Sequence, residues 1–211
     1  MELRKCKCGN EFEPIYRNGI LVSKLCYSCI VKKSNAKRLS NARKEKKEGL
    51  ERLKTHSDYE NELQTEINKI ARLIDYGQPC ICHPNLKNEN GGHLKAVGGN
   101  NNIRFNLHNI HGQSIHSNKH KSGEPLLFFE GLRRVYGNDY AEYCLNLNAL
   151  YPSIKLSKQE LKDIRLKCLK IVNYLKKEER IYSCKERIEL RNKYNLELNI
   201  YTINYKNNPT R

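Results

Sequence analysis

The segment of residues 80–123 places the strongest constraint on the fold of this 211-residue chain. Glycine and asparagine are concentrated at residues 98–102, where they disfavour a helix and predict a loose loop. Apolar residues flank the loop at 94–97 and 103–105, and they predict the two arms of a hairpin. A helix is predicted from residue 113 or 114 to about residue 121, because a Ser-Gly pair and a proline follow it. The segment therefore predicts a small hairpin followed by a helix.

Three polar residues occupy set positions in this hairpin-and-helix unit. His93 follows a Gly-Gly pair, Asn109 stands in the connecting loop, and Asn118 lies in a basic stretch of the predicted helix. This order resembles the ββα-metal, or HNH-type, nuclease site, which carries a His on a hairpin strand, an Asn in the loop and a His or Asn on the helix. The resemblance implies an α+β fold, mostly helical with a small ββα-metal core, and hydrolysis of phosphodiester bonds with one metal ion.

The same resemblance implies a role for each residue. His93 is the expected general base, since the pKa of histidine lies near physiological pH. The amide oxygen of Asn118 is expected to bind a catalytic Mg²⁺ or Mn²⁺ ion, which takes oxygen ligands and keeps several waters. Asn109 is expected to brace the loop and so orient His93. His111 is expected to support the site or to contact phosphate.

A closer resemblance extends over residues 91–123. The chain resembles the lambdoid phage NinG (Rap) recombination endonucleases in four stretches, which are Gly92-His93, Ile103-Arg104-Phe105-Asn106, Asn109-Ile110-His111-Gly112-Gln113 and Asn118-Lys119-His120-Lys121-Ser122-Gly123. Members of this family also begin with a cysteine-rich knuckle, continue through a long charged helix and end in helices. The resemblance implies a metal-dependent, structure-selective endonuclease that acts on branched DNA, such as Holliday junctions or D-loops.

The chain departs from the family pattern in two places. Asn90 stands where family members carry an Asp before the Gly-His pair, so Asn90 is the expected second ligand of the catalytic ion, with Glu89 as its substitute. The family's central structural zinc uses two Cys-x-x-Cys pairs, but this chain has Cys80-Ile81-Cys82 and Ser114-Ile115-His116-Ser117. Serine is a poor zinc ligand, so no zinc is expected there. The departures leave open a catalytically inactive DNA-binding accessory protein, and a generic HNH enzyme of the homing or restriction type.

The charge of the chain favours a nucleic-acid partner. Its 39 Lys and Arg residues outnumber 23 Asp and Glu residues, which gives a net charge of +16 and a field that attracts polyanions. Near the site, the residues expected to neutralise the DNA strand are Arg104, Lys119, His120 and Lys121. His83, His108 and His116 are expected to be ordinary surface residues. No long apolar run and no signal-peptide pattern are present, so a cytoplasmic protein without a membrane partner is expected.

The N-terminal residues 1–31 predict a zinc knuckle. Two close cysteine pairs, Cys6 with Cys8 and Cys26 with Cys29, offer four soft ligands for a tetrahedral Zn²⁺ ion. Close pairs in a chain without a signal sequence indicate metal ligands rather than disulfides, although a reduced, metal-free loop stays open. Four thiolates leave no open position on the ion, so the role would be structural.

Residues 32–75 predict one long polar helix. Ten basic and three acidic residues occupy positions 32–54, which suits either a solvated linker or contact with DNA phosphates. The cluster expected to bind DNA is Arg43, Lys44, Lys46 and Lys47. In the second half, apolar residues recur at helical spacing and predict a face packed on the core, formed by Leu63, Ile67, Ile70, Ala71 and Ile74.

Four regions are predicted: the knuckle at 1–31, the basic helix at 32–75, the nuclease core at 76–150 and a C-terminal helical region at 151–211. Two short helices divided at Gly137-Asn138 are expected to cover the core through Leu126, Leu127, Phe128 and Leu132. A capping box at residues 157–160 predicts a helix to about residue 177. The tail from Asn192 predicts either a strand or disorder. A homodimer would supply the two active sites that symmetric cleavage of a junction requires.

Overall fold

The computed structural model of the protein describes residues 3–151 and 153–206. The chain forms two compact units, Met1–Lys54 and Thr55–Arg211. It is mostly helical with small antiparallel sheets, as the predicted α+β class requires. None of the helices in the described part of the chain has the length and apolar character that crossing a membrane requires.

The first unit consists of two short ribbons and one helix. Strand β1 (Arg4–Lys5) pairs with β2 (Glu11–Phe12), and β3 (Tyr16–Arg17) pairs with β4 (Ile20–Leu21). Helix α1 (Tyr27–Leu53) follows, and none of its residues is buried. A helix that is polar on all sides and buries no face is not stabilised by packing.

The prediction of one continuous helix over residues 32–75 is wrong. Helix α1 ends at Leu53, and a second helix, α2 (His56–Ile74), begins after Thr55. The hydroxyl oxygen of Thr55 accepts a hydrogen bond from the Asp58 backbone N–H, and the Asp58 carboxylate accepts one from the Thr55 N–H at 2.8 Å. This reciprocal capping box satisfies N–H groups that a helix start leaves open, so it begins a new helix there.

In the second unit, α2 packs against α6 (Lys158–Glu178). The predicted apolar face of α2 is confirmed, since its five members are all fully buried. The start of α6 is also confirmed, because the Ser157 hydroxyl and the Glu160 carboxylate form the predicted capping box. Both helices contribute to the main hydrophobic core of this unit.

A two-stranded hairpin contacts α2. Strand β5 (Asn90–His93) pairs antiparallel with β6 (Ile110–Gln113), so that His93 lies opposite Ile110 and Gly92 lies opposite His111. The strands therefore lie outside the predicted arms at 94–97 and 103–105, which belong to a connection containing short 3₁₀ turns. Glycine explains this position: a Cβ atom on Gly91 would lie 2.9 Å from the backbone oxygen of Asn68, so only a glycine strand approaches α2 this closely.

A π-helical turn (His116–His120) follows the hairpin, within the region where a helix was predicted. Helices α3 (Pro125–Tyr136) and α4 (Asn138–Leu145) come next and are divided at Gly137, as predicted. Phe128 and Leu132 are buried in the second hydrophobic core, but Leu126 is 81% exposed and Leu127 is 42% exposed. The prediction that all four cover the core is thus correct for two of them, because the other two lie on the outer side of α3.

Two further helices complete the unit: α5 (Leu147–Leu150) and α7 (Cys184–Leu198). Helix α7 includes the start of the tail at Asn192, which was expected to be a strand or disordered; residues 207–211 of that tail lie outside the described residues. Its buried side includes large polar residues, among them Arg187, Arg191 and Asn195. A helix that buries polar groups lacks the apolar periodicity by which sequence reading finds helices.

Candidate active site and zinc centre

His93 lies at the end of β5, with its ring against α2. Its Nε2 atom is 3.1 Å from the backbone oxygen of Arg104 and 3.2 Å from the side-chain Nε2 of Gln64. The Arg104 carbonyl only accepts a hydrogen bond and favours a proton on Nε2, whereas the Gln64 amide nitrogen only donates and favours a bare Nε2. No hydrogen-bond partner of Nδ1 is found among the residues that the structure describes. Burial lowers the pKa of His93 to about 4, so the ring is neutral at physiological pH.

Asn109 joins the two sides of the hairpin connection. Its Oδ1 accepts a hydrogen bond from the backbone N–H of Lys95 at 2.9 Å, and its Nδ2 donates to the Lys95 carbonyl at 3.1 Å. The backbone oxygen of Asn109 also accepts from the Leu94 N–H at 2.9 Å. These bonds fix the chain directly after His93, and the expected effect of Asn109 on the orientation of the His93 ring stays a prediction.

Asn90 and Asn118, the two expected ligands of a catalytic ion, line one cavity of about 330 Å³. Cationic residues share the lining, which contains no carboxylate: Lys69, Arg72 and Lys119. The buried Nδ2 atom of Asn90 has no hydrogen-bond partner in the described structure. Two neutral amides bind a divalent ion weakly, whereas Mg²⁺ commonly takes part of its ligands from substrate phosphates. Three cations and the N–H donor of Asn90 suit a phosphate group, so the binding of a divalent ion by Asn90 and Asn118 stays a prediction.

Glu89, the expected substitute ligand, lies outside this cavity lining. Its carboxylate accepts a hydrogen bond from the backbone N–H of Ile115 at 3.2 Å, and its backbone oxygen accepts from Arg72 at 2.7 Å. The carboxylate thus caps the turn that carries Asn118. Glu89 supports that turn instead of replacing the acid that the family carries at position 90.

The burial of His111 corrects its expected phosphate contact. It is completely buried on β6, where Nδ1 lies 3.0 Å from the guanidinium of Arg191 and Nε2 lies 3.3 Å from the His108 carbonyl. Burial and the neighbouring Arg191 hold the pKa of His111 well below its usual range. A neutral, enclosed ring cannot reach DNA, so His111 supports the hairpin from inside.

The expectation that Arg104 neutralises the DNA strand is corrected in the same way. Its Nη1 atom donates to Glu60 at 3.1 Å, and its Nε donates to Gln64 at 3.4 Å, both on α2. Only 8% of its surface is exposed, so its charge is already paired within the protein. Lys119, His120 and Lys121 are exposed, as expected for residues that neutralise a DNA strand.

Sequence reasoning missed the buried polar network beneath the hairpin. The Asp75 carboxylate accepts hydrogen bonds from the Gly112 N–H and from the Arg191 guanidinium, both at 2.8 Å. Burial alone would raise the pKa of Asp75, but the arginine charges outweigh it and lower the pKa to about 2. His108, expected on the surface, belongs to this interior and bonds to Tyr140 at 2.9 Å. Single polar residues far apart in the sequence give no pattern that would reveal such a network.

The four N-terminal cysteines form a candidate zinc centre. Their sulfur atoms all lie within 4.8 Å of one another, and the sulfurs of Cys8 and Cys26 are 3.5 Å apart. Tetrahedral zinc with bonds of about 2.3 Å requires sulfur separations of about 3.8 Å. The Cys26 thiol lies at the start of α1 beside Ser28, whose hydrogen bond helps to lower the Cys26 pKa to about 6. The hydrogen bond with Cys8 raises the pKa of Cys29 to about 12, so it is the close approach of the four sulfurs that fits the zinc knuckle predicted from the sequence.

The central cysteines Cys80 and Cys82 lie beside the segment of Ser114 and Ser117. The Cys80 sulfur accepts a hydrogen bond from the Ser114 backbone N–H at 3.2 Å, and the Ser114 hydroxyl donates to Ser117 at 3.1 Å. A hydrogen bond with Cys82 helps to lower the Cys80 pKa to about 4. Hydrogen bonds therefore connect the segment of Cys80 and Cys82 with the segment of Ser114 and Ser117. The expected absence of zinc here stays a prediction.

Comparison with known proteins gives one family. The model of the family described as bacteriophage lambda NinG protein matches residues 1–179, which is more than four-fifths of the chain. No curated protein and no solved structure matches the chain significantly.

Proposed function

Because the chain belongs to the NinG family of phage recombination proteins, we propose that it is a metal-dependent, structure-selective DNA endonuclease. One observation carries the proposal: His93 is neutral, and its Nδ1 atom makes no hydrogen bond to the described protein groups. His93 ends strand β5, and Asn90, the first residue of that strand, lines the cavity that also contains Asn118. A neutral imidazole with an available nitrogen can take a proton from water, and its pKa of about 4 makes it a weaker base than an ordinary histidine.

In the proposed reaction, Nδ1 of His93 takes a proton from the attacking water. This role uses the tautomer that the Arg104 carbonyl favours, with the proton on Nε2 and the lone pair on Nδ1. Asn109 holds the strand end through Lys95, which fixes the orientation of the ring. These roles follow the order in which a general base is judged: its geometry relative to the proton comes first and its pKa second.

Asn90 and Asn118 would hold the catalytic Mg²⁺ or Mn²⁺ ion. A bound ion would neutralise charge on the phosphoryl oxygens and stabilise the leaving oxygen. Lys69, Arg72 and Lys119 would hold the phosphate group in the same cavity. Because the cavity lining carries no carboxylate, we expect the ion to bind tightly only when DNA is present.

Affinity for DNA would come mainly from outside the cavity. His120 and Lys121 are exposed beside the site, and α1 carries the exposed cluster of Arg43, Lys44, Lys46 and Lys47. Contacts of this kind bind phosphates and read no sequence. They suit an enzyme that recognises the shape of a branched DNA.

The second candidate function is a DNA-binding accessory protein without catalysis. The observation that favours it is the lack of a carboxylate in the lining of the Asn90 and Asn118 cavity. Purified protein incubated with labelled junction, duplex and single-stranded DNA, with and without Mg²⁺ or Mn²⁺, separates the two functions. The endonuclease cuts branched DNA only with the ion, whereas the accessory protein binds all three and cuts none.

A further inference from the structure

A surface groove adjoins the candidate active site at the C-terminal end of α2. It has a volume of about 810 Å³ and lies between that helix end and the chain of residues 77–88. Arg72 lines both this groove and the cavity that contains Asn90 and Asn118. A ligand in the groove and a ligand in the cavity could therefore both contact the Arg72 side chain.

The lining of the groove combines an aromatic ring, apolar walls and positive charge. Tyr76 is 47% exposed and is the only aromatic residue in the lining. Pro79, Pro84 and Leu86 supply apolar surface around it. The charged lining residues are Arg72 and Lys87, with no Asp or Glu, so the groove complements an anion.

The Arg72 guanidinium is positioned by a hydrogen bond that leaves other donors for an anion. One of its terminal nitrogens donates to the Glu89 carbonyl at 2.7 Å, which fixes the guanidinium head while the side chain stays exposed. A guanidinium has five N–H donors, so this bond leaves others for a phosphate. Positive charge beside an exposed aromatic ring is the combination by which proteins bind unpaired nucleotides.

We propose that this groove binds an unpaired nucleotide of the DNA substrate, with its base stacked on Tyr76 and its phosphates held by Arg72 and Lys87. In an intact duplex the faces of each base are covered by its neighbours, so Tyr76 stacks only on a nucleotide at a branch, flap or end. The proposal rests on the proposed function and adds a physical basis for branch preference. The groove would place the unpaired nucleotide next to the phosphate that is cut.

Binding measured without added Mg²⁺ or Mn²⁺, and without a chelator that would strip zinc from the knuckle, tests the proposal without cleavage. We compare a duplex carrying a short single-stranded extension with a fully paired duplex of the same total length, using fluorescence anisotropy. The variants are Tyr76→Ala, which removes the ring, and Tyr76→Phe, which keeps it. Tyr174→Ala is the matched control, because Tyr174 is 51% exposed on α6 and lies outside the groove.

We expect Tyr76→Ala to weaken binding of the extended DNA by about 5- to 150-fold, the effect of losing one stacked base. Tyr76→Phe and Tyr174→Ala should bind like the wild type, and the fully paired duplex should bind all four proteins alike. 2-Aminopurine in the extension should be quenched by the wild type, by Tyr76→Phe and by Tyr174→Ala, and not by Tyr76→Ala.

The proposal is overturned if Tyr76→Ala binds the extended DNA as the wild type does, or if it loses the paired duplex equally. Neither result depends on catalysis. If the wild type cuts no DNA with Mg²⁺ or Mn²⁺, the endonuclease proposal fails while this measurement still decides the groove.

Discussion

The guanidinium of Arg191 donates a hydrogen bond to the Asp75 carboxylate at 2.8 Å, and both side chains are almost completely buried. This pair joins the end of α2 to α7. Arg191 also donates to the Leu107 carbonyl at 3.1 Å, so the same residue holds the connection that leads into β6. Helix α7 lies beyond residues 1–179, the part that matches the family model, yet it supports the candidate site directly.

Breaking this pair should destabilise the second unit strongly. We expect Asp75→Asn to lower the free energy of unfolding by about 3–5 kcal/mol, because it leaves the buried charges of Arg187 and Arg191 without their carboxylate. Urea denaturation measures the change. Arg133→Met is the control, since its pair with Glu130 is exposed and should contribute less than about 1 kcal/mol. If Asp75→Asn and Arg133→Met have the same free energy of unfolding, the buried pair does not stabilise the second unit as proposed.

Buried neutral histidines should make the protein sensitive to mild acid. Burial lowers the pKa of His108 to about 3 and holds that of His111 well below its usual value. An unfolded histidine takes up a proton near pH 6.5, so stability is complete above that pH and is lost as pH falls toward the folded pKa. Each residue should contribute a slope of up to about 1.4 kcal/mol per pH unit.

Urea denaturation at several pH values between about 5 and 7 measures that slope. His108→Gln removes one titrating group and should make the slope shallower, whereas the exposed His116→Gln should leave it unchanged. An equal slope in both variants would mean that His108 ionises as readily in the folded protein as in the unfolded chain.

The sequence predicted the parts of this structure that depend on local patterns. The apolar spacing from Leu63 to Ile74 predicted the buried face of α2, and Ser157 with Glu160 predicted the start of α6. The break at Thr55 has a capping pattern too, but Asp58 fills the place where a Glu or Gln is typical, and the break was missed. Local chemistry thus fixes where helices begin, even within a highly charged stretch.

Features that depend on long-range contacts could not be predicted. The burial of His111 and Arg104 results from partners on α7 and α2, 80 and 44 positions away. The strands β5 and β6 occur at glycines, since their position is set by close approach to α2 and not by β propensity. The order of His93, Asn109 and Asn118 identified the region of the site, while tertiary packing decides which neighbouring residues remain exposed.

The zinc knuckle should hold one ion per chain. We expect metal analysis, after loosely bound ions are removed, to give about one zinc, the content of a single four-cysteine site. Cys26→Ser should lose that zinc and unfold the first unit, while Cys184→Ser, the change of an exposed free thiol, should keep it. Two zinc ions per chain would show that Cys80 and Cys82 take part in a second site. A protein without zinc would contradict the predicted zinc knuckle.

The basic cluster on α1 should contribute affinity without specificity. We expect replacement of its four residues by Gln, at Arg43, Lys44, Lys46 and Lys47, to weaken binding to every DNA. The slope of log affinity against log salt should become shallower by up to about 3.6, since each phosphate contact contributes about 0.9. Cleavage at saturating DNA should change little, because these residues do not touch the reacting groups.

A matched variant removes the same charge elsewhere, through Gln at four exposed lysines of the second unit: Lys170, Lys176, Lys177 and Lys185. Binding titrations at several salt concentrations compare the two. Equal slopes in both variants would assign the effect to net charge alone, and an unchanged slope in the α1 variant would make this helix a solvated linker.

Cleavage by His93→Ala tests the central claim most directly. Labelled branched DNA is incubated with Mg²⁺ or Mn²⁺ and either this variant, the wild type or His116→Ala, a change at an exposed histidine. Binding of the same DNA is measured in parallel. We predict that the wild type and His116→Ala cut the DNA, while His93→Ala binds it nearly as well and loses cleavage by at least about 100-fold, the usual contribution of a general base. Cleavage by His93→Ala at the wild-type rate would contradict the account.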